Sequence, residues 1–138
     1  MRASAIAAVA LGGLIGAPAR YGLGVAFPHT PPGYWPVTTV AINIAGSFIL
    51  GGLLEALARM GPDSGWRQRA RLGIGTGVIG SFTTYSTLAV DADLLLRAHH
   101  LWAAIGYALG TVIVGMVATA VGIGTCTWLT SRRGEEQR

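Results

Sequence analysis

Gly73-Ile74-Gly75-Thr76-Gly77-Val78-Ile79-Gly80 runs directly into Ser81-Phe82-Thr83-Thr84-Tyr85-Ser86-Thr87, and this stretch decides how the chain folds. Its first eight residues hold four glycines, and the next seven hold five serines and threonines, a composition that disfavours a continuous helix. Yet the stretch lies inside an uncharged apolar run from Leu72 to Val90. Non-helical backbone at membrane depth is tolerated only where it is buried in protein or lines a cavity. Freed carbonyls at such a break suit a cation, and the N-terminus of the following half-helix suits an anion. Gly75-x-Gly77-x-x-Gly80 also fits a dinucleotide fingerprint, but that motif needs a preceding strand and a βαβ unit, which this run does not offer.

The rest of the chain places that run in a bilayer. Of 138 residues, 51% are hydrophobic and only 12% charged, against about 25% charged in soluble domains. Four runs are long enough to cross roughly 30 Å of hydrocarbon. The expected fold is an all-α integral membrane protein, one domain over 1–138, with spans at about 3–27, 35–58, 71–97 and 101–130. The third is expected to break mid-membrane, around Gly77 to Thr87. A Pro/Gly turn (Pro28 to Gly33), an arginine-rich loop (Gly61 to Arg71) and a short link at Arg97 to His100 join the spans. Ala17-Pro18-Ala19 imitates a signal-peptide cleavage site, but the apolar run continues past it to Phe27, so the first span is expected to be retained. The single cysteine, Cys126, excludes an intramolecular disulfide and a cysteine metal cluster.

All ten basic residues are arginines, giving a net charge of +4. They sit at the ends of apolar runs rather than in a patch on a polar fold, which argues against a nucleic-acid partner. Four spans place Arg2, Arg59, Arg67, Arg69, Arg71, Arg132, Arg133 and Arg138 on one side, and only Arg20 and Arg97 on the other. By the positive-inside rule both termini face the cytoplasm.

Polar residues inside the spans mark where function or assembly lies. Thr39, Asn43 and Ser47 recur at i, i+4, i+8, and Tyr107, Thr111 and Gly115 do the same on the last span. Ser47 reads as interhelical glue, whereas Asn43 serves glue and a polar pathway equally well. Gly12/Gly16 and Gly106/Gly110 have the small-xxx-small spacing of close helix packing. Glu55, Asp91 and Asp93 lie near span ends, where interfacial pairing such as Asp93 with Arg97 is the default.

These residues together resemble the Fluc (CrcB) fluoride channel family. Gly13-x-x-Gly16-Ala17-x-x-Arg20-Tyr21 is similar to its GxxGAxxRY signature, and Thr39-x3-Asn43-x2-Gly46-x-Phe48-x2-Gly51 to its second-span pattern. Gly77-x-x-Gly80-Ser81-Phe82-Thr83-Thr84-Tyr85-Ser86-Thr87-Leu88 resembles GxxGGxTTFSTF, with Ser81, Tyr85 and Leu88 as departures. In the last span Tyr107-x3-Thr111 resembles a tyrosine–hydroxyl track.

The resemblance implies an antiparallel dimer with two pores that passively exports fluoride across the cell membrane and relieves its toxicity, without enzyme activity. It implies Asn43, Phe82 and Tyr85 as pore lining, Thr39, Tyr107 and Thr111 along the track, and Arg20 at a pore entrance. The carbonyls of Gly77 and Gly80 would face a structural Na⁺ at the dimer centre. The chemistry suits a small, strongly hydrated anion: amide and hydroxyl donors replace water, and an aromatic edge adds a weak contact. The arginine bias sits poorly with one chain inserting both ways, so the expected assembly is a heterodimer with an oppositely oriented paralogue. Two other readings compete. A proton-coupled small multidrug exporter needs a membrane-embedded carboxylate in its first span, which this chain lacks. A non-conducting assembly subunit would use the broken helix only for packing.

Overall fold

A computed structural model describes residues 2–28 and 35–135. All regular structure among them is helical: α1 (Arg2–Ala26), α2 (Val37–Arg59), α3 (Gly65–Ala70), a π-helical segment (Arg71–Ile79), α4 (Gly80–Phe82), α5 (Tyr85–Arg97) and α6 (Leu101–Glu135). Apart from Pro28, the expected Pro/Gly turn lies outside the described residues. Three helices are long and apolar enough to cross a membrane, over Ala3–Ala26, Val37–Arg59 and Leu101–Arg132. Large apolar side chains such as Leu14, Ile49, Val114 and Met116 are exposed along them, as suits a surface solvated by lipid. The remaining run is helical in pieces.

Those pieces correct the expectation for the third span. The glycine-rich half does not unwind but stays helical with a widened π turn, and it begins in what the sequence suggested was loop, at α3. The break is confined to Thr83 (φ −73°, ψ 160°) and Thr84 (φ −148°, ψ 123°), both extended. Glycine here serves packing. A Cβ on Gly12 of α1 would collide with the Gly73 carbonyl and Gly77 Cα, and one on Gly77 would lie 2.9 Å from Gly12 Cα. Backbone therefore meets backbone where α1 crosses the π segment. The second close crossing joins α2 to α6, where a Cβ on Gly51 would strike the Thr119 carbonyl and one on Gly122 the Phe48 carbonyl. Without lipid-excluding apolar collapse, such contact lets dispersion hold membrane helices together. The expected packing role holds for Gly12 and Gly16, whereas nothing lies within 4 Å of a Cβ on Gly110.

At the ends, α5 stops in a Schellman cap. His99 takes a positive φ of 61°, His100 N–H donates to Leu95 O (2.9 Å) and His99 N–H to Leu96 O (3.0 Å). This makes the link to α6 a three-residue turn, Ala98 to His100. Asp93 and Arg97 pair at 2.6 Å, as expected, and Glu55 pairs with Arg59 at 2.5 Å. Arg59 and Glu55 also reach Thr127 Oγ1, tying the ends of α2 and α6.

Candidate functional site

The break is held by one side chain. Asn43, half-buried on α2, accepts from Thr84 N–H through Oδ1 (2.8 Å) and donates from Nδ2 to Thr84 O (3.0 Å). The amide pairs with a single extended residue as a neighbouring strand would. Thr84 Oγ1 then accepts Thr87 N–H (3.1 Å) and so starts α5 as its N-cap. One amide hydrogen of Asn43 has no partner among the described residues.

Around this clamp lies a groove of about 350 Å³ lined by Asn43, Ser47, Thr83, Thr84, Tyr85, Leu88, Thr111 and Gly115, among others. Tyr85, the first residue of α5, is 82% exposed at its edge. Phe82 is not in this groove; it lines a separate apolar cavity with Leu23, Phe27 and Ile42. The residue that joins Tyr85 at the groove is Leu88, one helical turn on. Phe82, expected beside Tyr85, thus stands apart from it, and an aliphatic side chain takes the place next to Tyr85.

The hydroxyl track is present, but its hydrogens point inward. Thr39 Oγ1 (2.8 Å) and Tyr107 OH (3.0 Å) both donate to Asp91 Oδ2. Thr111 Oγ1 donates to its own helix at Tyr107 O (2.7 Å). Asp91 is only 4% exposed, between α2 and α6. Its hydroxyl partners come from the two neighbouring helices. Its signal was available, since Leu88, Asp91 and Leu95 share one buried helix stripe. The Tyr107 ring is further fixed by Trp35, edge-on with centroids 6.3 Å apart.

Arg20 occupies a second cavity of about 330 Å³, lined also by Thr38, Thr39, Thr84 and Thr87. Its Nη1 donates weakly to Thr87 Oγ1 (3.4 Å), and its buried Nε has no hydrogen-bond partner among the described residues. A buried N–H left open in a cavity lined by four threonines makes it attractive to an anion. Thr84 borders both the Arg20 cavity and the groove.

The two carbonyls assigned to a cation differ. Gly77 is buried against α1, and its carbonyl accepts the Ser81 hydroxyl (2.6 Å). It does not fit a cation shared between two chains. Gly80 is exposed. Thr84 N–H, which a continuous helix would give to Gly80 O, goes to Asn43 instead. The Gly80 carbonyl does fit a hard cation, which takes oxygen ligands.

Together these features define a polytopic helical membrane protein with a polar groove and a charged cavity meeting at a helix break. The chain belongs to the CrcB family: the family model described as "CrcB-like protein, Camphor Resistance (CrcB)" matches residues 7–123. It is similar to the Fluoride-specific ion channel FluC 2 of Leifsonia xyli subsp. xyli, 44% identical over 126 residues, 91% of this chain and 86% of that protein. FluC 3 of Streptomyces avermitilis is 41% identical over 133 residues, 96% of this chain and 63% of that longer protein. The FluC protein of Salinibacter ruber is 38% identical over 121 residues, 88% of each chain.

Proposed function

We propose that this chain is a subunit of a fluoride-selective channel that passively exports fluoride through two pores formed in an antiparallel dimer. The observation that carries the reading is the groove at the helix break, where the open amide hydrogen of Asn43 meets Thr84, Thr111 and the exposed Tyr85. A polar strip on a lipid-exposed face is costly unless covered, and a second chain would cover it and close the pathway. The relatives' names, fluoride-specific ion channels, support the choice of anion.

The pathway runs from the Arg20 cavity past the Asn43–Thr84 clamp into the groove beside Thr111. Arg20 draws the anion in. Asn43 offers it a donor, and Tyr85 an aromatic edge and a hydroxyl. Thr39 and Tyr107 act through Asp91, which holds their hydrogens; an anion beside them competes with that carboxyl for a donor. Weak, exchangeable contacts of this kind let an ion enter and leave. A structural Na⁺ at the dimer centre is part of the proposal. Gly80 carbonyls would hold it, and it would supply a fixed positive charge between the two chains.

Both termini face the cytoplasm in this reading, on the strength of the arginine distribution. The same bias favours a partner of opposite orientation, a paralogue of this chain, over a homodimer. The test is fluoride efflux from liposomes carrying the purified chain alone, with chloride as control. Efflux that is rapid and fluoride-selective rejects an obligate paralogue. Efflux only from a tandem fusion of two copies, inverted by an added membrane-spanning linker, supports the antiparallel pore. Chloride efflux as fast as fluoride rejects the channel reading.

A further inference from the structure

We infer that Asn43 is a positioning residue for the cation site as well as a donor to the anion: by capturing Thr84 N–H it keeps the Gly80 carbonyl open. The inference rests on the proposed Na⁺ at the dimer centre and deepens it.

Two acceptors, Asn43 Oδ1 and Gly80 O, compete for one hydrogen. In a continuous helix each N–H returns to the carbonyl four residues back. Thr83 still obeys, donating to Ile79 O at 2.9 Å. The next N–H, that of Thr84, is the first to leave the ladder, and it leaves for Asn43 Oδ1 at 2.8 Å. The carbonyl deprived by that departure belongs to Gly80, which is exposed. Its neighbours are already occupied: Gly77 O and Val78 O by the Ser81 hydroxyl (2.6 and 3.1 Å), and Ile79 O also by Thr83 Oγ1 (2.9 Å). The side chains around the break thus close the inner carbonyls and leave the outer one open. An unsatisfied carbonyl in a bilayer is costly, and a cation removes that cost.

The amide is bifunctional in a way that substitutions can separate. Its oxygen holds the break. Its nitrogen serves Thr84 O and, with its second hydrogen, the groove. Asn43→Asp keeps an acceptor for Thr84 N–H but removes the amide donor. Asn43→Ala removes both, and Thr84 N–H can return to Gly80.

The test is thermal melting of the purified, assembled protein in detergent, in sodium chloride against N-methyl-D-glucamine chloride, beside fluoride efflux. Wild type should melt higher in sodium by about 3 °C or more. Asn43→Asp should keep that sodium shift while losing fluoride efflux, and Asn43→Ala should lose both. A full sodium shift in Asn43→Ala overturns the inference. Should Asn43→Ala not assemble, Asn43→Asp decides: loss of the sodium shift in assembled Asn43→Asp overturns it equally. A wild type with no sodium shift but normal fluoride efflux rejects the cation site itself, and the inference with it, while leaving the channel intact.

Discussion

Asp91 is the least expected polar residue in the fold, and its removal gives the sharpest structural prediction. Its Oδ2 accepts two hydroxyls, from Thr39 (3% exposed) and Tyr107 (0% exposed), at 2.8 and 3.0 Å. Asp91→Ala strands both donors. In soluble cores each stranded group costs about 1–3 kcal/mol. Inside membranes measured side-chain hydrogen bonds average about 0.6 and reach about 1.7 kcal/mol, so two of them give about 1–3 kcal/mol. The lower scale applies here, because the unfolded chain also stays in lipid. Tyr107→Phe removes one hydroxyl but keeps the ring against Trp35, which makes it a clean partner in a double-mutant cycle. The expected Asp91–Tyr107 coupling is about 0.6–1.7 kcal/mol. Reversible unfolding in lipid–detergent micelles titrated with SDS, followed by tryptophan fluorescence, measures it. Asp91→Asn retains an acceptor and should lose less than half as much stability as Asp91→Ala. A coupling below about 0.3 kcal/mol would show that the two side chains do not share a bond, and the inward-closed track would have to be abandoned.

Three further outcomes follow from the same geometry. Gly16→Ala places a methyl against the Val78 carbonyl and the Ser81 hydroxyl; it should destabilise the fold by about 1–3 kcal/mol in the same unfolding assay, whereas Gly110→Ala, with open space around it, should not. His99→Gly relieves a left-handed residue at the α5 cap and should stabilise by up to about 1 kcal/mol, read as a higher melting temperature. Arg20→Gln should slow fluoride efflux, and the difference from wild type should shrink as ionic strength rises, since salt screens the attraction that Arg20 supplies.

Much of the architecture could be read directly from the sequence, because hydrophobic run length reports the bilayer's thickness. The three unbroken helices begin and end within a few residues of the apolar runs, α6 continuing past its run to Glu135. The position of the break was legible to within one turn, but its nature was not. Gly73, Gly75 and Gly77 carry poor helix propensity in isolation, yet α1 packs backbone against Gly73 and Gly77 while Leu50 and Leu53 of α2 cover Gly75, and the segment stays helical. Propensity gave way to a tertiary contact that a single sequence does not display. Asn43 was recognisable as an unusual amide, but only the fold shows that its partner is the Thr84 peptide. Phe82 and Leu88 were harder still. Phe82 precedes the break and Leu88 follows it, and the extended residues Thr83 and Thr84 change which face each presents. Asp91 lies close to the end of the apolar run, and only the fold shows that α5 carries it inward between α2 and α6.

The central claim is passive, fluoride-selective conduction, and the most direct test is a reversal potential. With the channel in a planar bilayer under a tenfold fluoride gradient and an opposing chloride gradient, the account predicts reversal at the fluoride equilibrium potential, about 59 mV from zero. That value should not move when a pH gradient is imposed. Reversal near the chloride potential, or a shift that follows the pH gradient, would contradict it.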